Sequence, residues 1–280
     1  MADTEQTIRK PAVAGTFYPA DRERLRSEIK NYLEKVEQDR TGEDIAALVA
    51  PHAGYMYSGP VAAVAYRQVQ GKDYDTVVVI SPSHREYFEF SSVFSGSAYE
   101  TPLGRVEIDT GLSRELAESS GGTVRISGSG HLHSSEHALE VHLPFLQEVL
   151  GRFKLVAIVM GRQDLEACRD LGDSLARALR GGKSLIVASS DLSHFHNQKA
   201  AEGLDSRVVE KINLFDPEGL LADVAGHNCE ACGAGSVAAA MFAARKLGAT
   251  KAENLHYATS GEISGDFNQV VGYTASIFYR

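Results

Sequence analysis

Residues 45–57 read Ile45-Ala46-Ala47-Leu48-Val49-Ala50-Pro51-His52-Ala53-Gly54-Tyr55-Met56-Tyr57. Six small or branched apolar residues predict a short strand buried on both faces, as in a parallel sheet. Pro51 ends it, because proline has no N–H to give a ladder. Gly54 then permits a tight turn beside His52. Ligands of open α/β sheets gather beyond the carboxyl ends of strands, so this histidine falls where chemistry is usually done.

The pattern returns twice. Residues 74–80, Y-D-T-V-V-V-I, run into Ser81-Pro82-Ser83-His84. Residues 184–188, S-L-I-V-A, run into Ser189-Ser190-Asp191-Leu192-Ser193-His194. A fourth apolar run covers 154–160. Between the strands, amphipathic spacing predicts helices over 21–38, 61–69, 109–119, 136–150, 164–179, 198–213, 217–225 and 233–247. Residues 8–20 hold two prolines and a glycine and predict an ordered lead-in without helix. Alternation broken by Gly96 and Pro102-Leu103-Gly104 predicts antiparallel strands within 88–108. Residues 120–130 predict a glycine- and serine-rich loop, and 255–259 and 269–278 closing strands. Strand and helix alternate from 45 to 247, which points to one α/β/α sandwich around a mixed central sheet, in a single domain over 1–280.

Composition excludes several classes. The chain has 280 residues, 43% of them hydrophobic, and a net charge of −9. No basic block offers a footprint for nucleic acid or an anionic membrane. No apolar run approaches the ~20 residues of a membrane span, and the opening M-A-D-T-E-Q-T-I-R-K has no apolar signal core. Three cysteines make no disulfide framework, so a reducing cytoplasm is expected.

His52, His84 and the Asp191/His194 pair thus converge on one rim of the sheet. Imidazoles with an anionic neighbour suit iron, copper or zinc. Cys229 and Cys232 have C-x-x-C spacing without the second half of a zinc site, and Cys232 precedes a helix that favours a thiolate. Glu136 and Glu140 lie one helical turn apart, and His142 falls on the apolar face of that stretch. His142 is either a core histidine with a partner or an acid/base or orienting group. Ser189, Ser190, Asp191 and His194 crowd one turn without a G-x-S-x-G elbow, which argues against a serine hydrolase. His131 and His133 read equally as surface histidines or as part of a mobile lid.

Seven motifs in order resemble the Memo family: R-K-P-A-V-A-G-T-F-Y-P (9–19), A-P-H-A-G-Y-x-Y-S-G (50–59), S-P-S-H (81–84), E-H-A-L-E-V-H-L-P-F (136–145), S-S-D-L-S-H (189–194), C-G (232–233), and S-G-E-I-S-G-D with V-V-G-Y (260–266, 270–273). The resemblance implies a fold like that of class III extradiol non-haem iron dioxygenases. It implies metal ligands at His52, His84 and Cys232, with Fe(II) or copper bound and zinc as a third choice. Asp191, His194 and His142 are then catalytic or supporting groups, and Tyr55 and Arg85 shape the pocket. The dioxygenases use two histidines and a glutamate, so a cysteine ligand puts ring cleavage in doubt and favours Cu(I) as well. Three functions follow: an oxidoreductase acting on a small or phenolic substrate, a peptide- or protein-binding module on a dioxygenase-like scaffold, or a metal-dependent hydrolase. Prokaryotic members resemble the middle component of a three-protein set, which implies a radical-SAM protein and a third component as partners. An oligomer is compatible with all three.

Overall fold

A computed structural model describes residues 7–280 except 38, 41 and 128–130. The helix expected over 21–38 runs over Arg22–Glu34 and is capped at Lys35; Gln38 and the end of the 120–130 loop lie outside the described residues. In chain order the strands are β1 (Ile8–Arg9), β2 (Ile45–Ala50), β3 (Thr76–Pro82), β4 (Ser91–Phe94), β5 (Ala98–Thr101), β6 (Gly104–Glu107), β7 (Val124–Ser127), β8 (Lys154–Met160), β9 (Ser184–Ser189), β10 (His194–His196), β11 (Lys251–Thr259) and β12 (Val270–Tyr279).

Nine of these form one mixed sheet among the described residues, in the order β10-β12-β2-β9-β3-β8-β4-β7, with β11 on the other side of β12. Its centre is parallel: β2 pairs with β9, β9 with β3, and β3 with β8. β12 runs antiparallel to β2, and β4 antiparallel to β8. All four parallel strands therefore end on the same edge. The apolar runs are continuous because both faces are covered, and each strand divides its side chains by alternation. Val77 and Val79 join one core, against helices Arg22–Glu34, Tyr55–Arg67 and Leu143–Leu150. Val78 and Ile80 join the other, against Leu165–Ala178, Gln198–Asn213, Pro217–Ala225 and Ala234–Lys246. This is the expected α/β/α sandwich.

Local differences have local causes. The helix expected over 136–150 occupies only Leu143–Leu150, preceded by a 3-10 turn at Glu140–His142. Glu136 turns its carboxylate back to the Ala138 N–H at 2.9 Å and to His84, which competes with helix at that point. Pro144 then sits in the first turn of the helix, where its missing N–H costs nothing. The helix after His52 begins at Tyr55, with Pro60 inside it. The antiparallel strands within 88–108 divide: β4 joins the main sheet, while β5 and β6 form a hairpin that pairs with β1 in a separate three-stranded sheet. β7 lies inside the stretch expected as loop, parallel to β4. Three-residue β10 carries Phe195 at φ +62, conformationally costly for a bulky residue, with a bulge in its pairing to β12.

Candidate metal centre

The three recurrences meet. His52 follows β2, His84 follows β3, and Asp191 follows β9, all on the edge where the parallel strands end. Around them the structure gathers a group that the sequence expectation did not contain: His52, His84 and His137 each offer a ring nitrogen, and the three nitrogens lie within 4.8 Å of one another. Ring centroids stand 5.0 Å apart for His52–His84, 4.9 Å for His84–His137 and 5.7 Å for His52–His137. His52 is buried, His137 half-buried and His84 exposed, so the cluster opens to solvent on the His84 side.

Two of the rings are hydrogen-bonded through Nδ1, and the third has its Nδ1 beside a carboxylate. For His52, Nδ1 lies 2.7 Å from Ser189 Oγ, and the backbone N–H donates to Asp191 Oδ1 at 2.8 Å. The His84 N–H donates to Glu136 Oε2 at 2.6 Å, and its Nδ1 is 3.1 Å from Glu136 Oε1. The Nδ1 of His137 is 3.3 Å from the same Oε1. One carboxylate therefore bonds the His84 ring and lies within ion-pair reach of His137; a carboxylate on Nδ1 is typical of histidines that ligate metals through Nε2. Burial alone would push the Glu136 carboxyl up. Hydrogen bonds from the His84 side chain and from the Ala138 and His84 N–H groups outweigh it and hold the group at about 2. The lead-in closes the site from the other side: the Phe17 ring meets His137 edge-on at 4.8 Å, and the Tyr55 N–H donates to the Phe17 carbonyl at 2.7 Å.

Cys232 reaches the same place. Its Sγ is 3.2 Å from His52 Nε2 and accepts from the Asp191 N–H at 3.3 Å. It stands beside His52 but outside the group of three mutually close ligand nitrogens. Burial, and then the charge of Asp191, push its thiol well up. The second oxygen of Asp191 is 3.8 Å from His52 Nε2, and burial raises the Asp191 carboxyl despite the bond from His52. Burial, and then the charges of His84 and His137, keep His52 well below its ordinary value, so the ring is neutral and one nitrogen keeps its lone pair free.

The remaining expected residues fall into place around this core. His194 lies on β10, near enough for its charge to act on both Asp191 and His52. His142 is buried, with Nε2 2.7 Å from Ser189 Oγ and Nδ1 2.7 Å from the Tyr66 hydroxyl. Tyr55 is also buried, and its hydroxyl donates to the Val141 carbonyl at 2.6 Å, so it supports the segment carrying His137 from behind. Arg85 is exposed and anchored to the Ser135 carbonyl. His133 is neither on the surface nor part of a lid: it is fully buried between Tyr99 and Ser92, while His131 stays exposed beside Glu86. Cys229 is a buried free thiol. The sequence reading passed over His137 and over Glu136 as its partner. The available signal was their adjacency in a stretch that already held His142.

Fold and site together define an α/β/α protein with a histidine-built candidate metal centre at the carboxyl ends of its parallel strands. The model of the family described as Memo-like protein matches residues 9–277, and the chain belongs to that family. It is 39% identical over 275 residues to the MEMO1 family protein of Methanothermobacter thermautotrophicus, covering 95% of this chain and 98% of that one. The MEMO1 family protein of Methanosarcina mazei is 40% identical over 273 residues, covering 96% and 98%. Among solved structures, an uncharacterized protein of Escherichia coli K12 shares the fold with a TM-score of 0.51 at 15% identity, covering 83% of this chain and 99% of that one.

Proposed function

We propose that the chain is a metal-dependent oxidoreductase of dioxygenase-like type that acts on a small or phenolic substrate with Fe(II) or copper. One observation carries the reading: His52, His84 and His137 converge, each offering a ring nitrogen within 4.8 Å of the others, with Nδ1 of His52 and of His84 already engaged. Imidazole suits iron, copper and zinc alike. His52, His84 and His137 would hold the ion, with Cys232 or Asp191 as the nearest further donor. Such an ion, with positions left open, would supply redox chemistry toward dioxygen.

The chain's own residues divide the rest of the work. Asp191 and His194 are placed to hold or move a proton beside His52. The exposed guanidinium of Arg85 gives the open side of the site a positive charge for an anionic or phenolic oxygen. Phe17 covers the His137 ring and keeps water from that face.

A second reading is favoured by the same three histidines, since three protein ligands with an open fourth position also describe catalytic zinc. Protein purified without oxygen, analysed for metals and then given a catechol in an oxygen electrode, separates the two. Stoichiometric iron or copper with oxygen uptake is expected. Tight zinc with ester cleavage supports the hydrolase, and a metal-loaded protein that turns over neither class contradicts both.

A further inference from the structure

Behind the centre runs a line of buried polar groups that no ligand role accounts for: Tyr66, His142 and Ser189, ending on His52. Ser189 Oγ has three partners at hydrogen-bond distance, the Ala138 carbonyl at 2.8 Å, His52 Nδ1 at 2.7 Å and His142 Nε2 at 2.7 Å. A hydroxyl has one proton to give and two lone pairs to receive with. The Ala138 carbonyl has no proton, so two oxygens at 2.8 Å require the one on Ser189 to lie between them. Both histidines must then donate to Ser189.

Each proton follows from the last. His52 carries its proton on Nδ1 and leaves Nε2 bare. His142 carries its own on Nε2, so its Nδ1 accepts from the Tyr66 hydroxyl at 2.7 Å. At the other end a bare Nε2 can only accept, and the Cys232 thiol stands 3.2 Å from it. Reversing a link among Tyr66, His142, Ser189 and His52 leaves a proton clash or two facing acceptors among buried groups, where an unmade hydrogen bond costs the full desolvation of the group.

We infer that Tyr66, His142 and Ser189 are positioning residues that select the Nδ1–H tautomer of His52 and thereby present its Nε2 to a metal. Glu136 does for His84 what this line does for His52. The inference rests on the metal-centre reading for its purpose, but its proton assignment belongs to the metal-free protein. Supporting partners of this kind are commonly worth about 10–100-fold in metal affinity. The carboxylate is one residue, whereas the neutral line needs three in a fixed order.

The test has two parts. Long-range proton–nitrogen NMR of the metal-free, full-length protein reads the tautomer of each imidazole directly. Nδ1–H on His52 and Nε2–H on His142 are expected, and the opposite tautomer on either ring overturns the inference. Cobalt(II) titration then compares wild type with Ser189→Ala, the fold of each checked by circular dichroism. Affinity is expected to fall about 10–100-fold, and an unchanged affinity overturns the positioning role. If wild type itself binds no cobalt(II), the metal-centre reading fails, while the NMR result still decides the proton assignment.

Discussion

Glu136 holds His84 at two points, taking its backbone N–H at 2.6 Å with one oxygen and facing its Nδ1 at 3.1 Å with the other. The second oxygen also faces Nδ1 of His137, its neighbour in sequence. A residue from the segment before the 3-10 turn thus fixes a residue from the end of β3, and the candidate metal centre is assembled across that bond.

Replacing Glu136 by Gln keeps the shape but removes the charge that both rings lean on. The amide also offers a donor on one side where an acceptor is needed. Metal affinity should fall about 10–100-fold, read by competition with a chelator. An affinity within twofold of wild type would mean the carboxylate orients neither ring.

His133 sets a pH dependence outside the three-histidine group. Burial, and then the Arg9 charge, lower it to about 3 from an ordinary value of 6.5. The folded protein resists the proton that the unfolded chain accepts, so this stability is complete above pH 6.5 and is lost as pH falls toward 3. At pH 5 the loss from this one group is about 2 kcal/mol. Urea unfolding at pH 7.5 and pH 5 should show a drop that His133→Gln reduces. An equal drop in both would place the proton elsewhere.

Arg9 and Glu140 form an ion pair with both side chains almost fully buried. Arg9 also donates to the His133 and Glu136 carbonyls at 3.1 and 2.7 Å, tying β1 to the segment that carries His137. Arg9→Met strands a buried carboxylate that still accepts from Tyr18 and the Ala12 and Val13 N–H groups. Stability should fall by about 3–5 kcal/mol, measured by denaturant unfolding, and a loss below 1 kcal/mol would show the pair to be dispensable.

A Cβ on Gly233 would stand 2.0 Å from the Ser189 carbonyl oxygen and 2.9 Å from Ser190 Cβ. The obstacle is backbone at the end of β9, which cannot swing aside. Gly233→Ala should destabilise by about 1–3 kcal/mol and move Cys232 away from His52. Slower labelling of Cys232 by a thiol reagent in the variant than in wild type would contradict that displacement.

The centre of the fold was legible because its signals are local. A buried run followed by Pro-His or by Ser-Ser-Asp announces a strand and the edge it ends on, and β8 has the limits its apolar run implied. The stretch from Glu136 to His142 misled because its apolar residues keep helical spacing while the Glu136 carboxylate and the buried Arg9–Glu140 pair draw the backbone into turns. Apart from the Ala138 N–H, those partners lie 52 or more residues away, beyond any local pattern. His137 was hidden for the same reason: in a continuous helix it would share no face with His52. β10 has three residues and a left-handed Phe195, too short and too irregular for periodicity to register.

The central claim is that His137 joins His52 and His84. Metal content of protein purified without oxygen should be stoichiometric in wild type and near zero in the His52→Ala/His84→Ala double variant. His137→Ala alone should lose most of the metal while keeping the wild-type circular dichroism spectrum. Full occupancy in a folded His137→Ala variant would contradict the three-histidine centre.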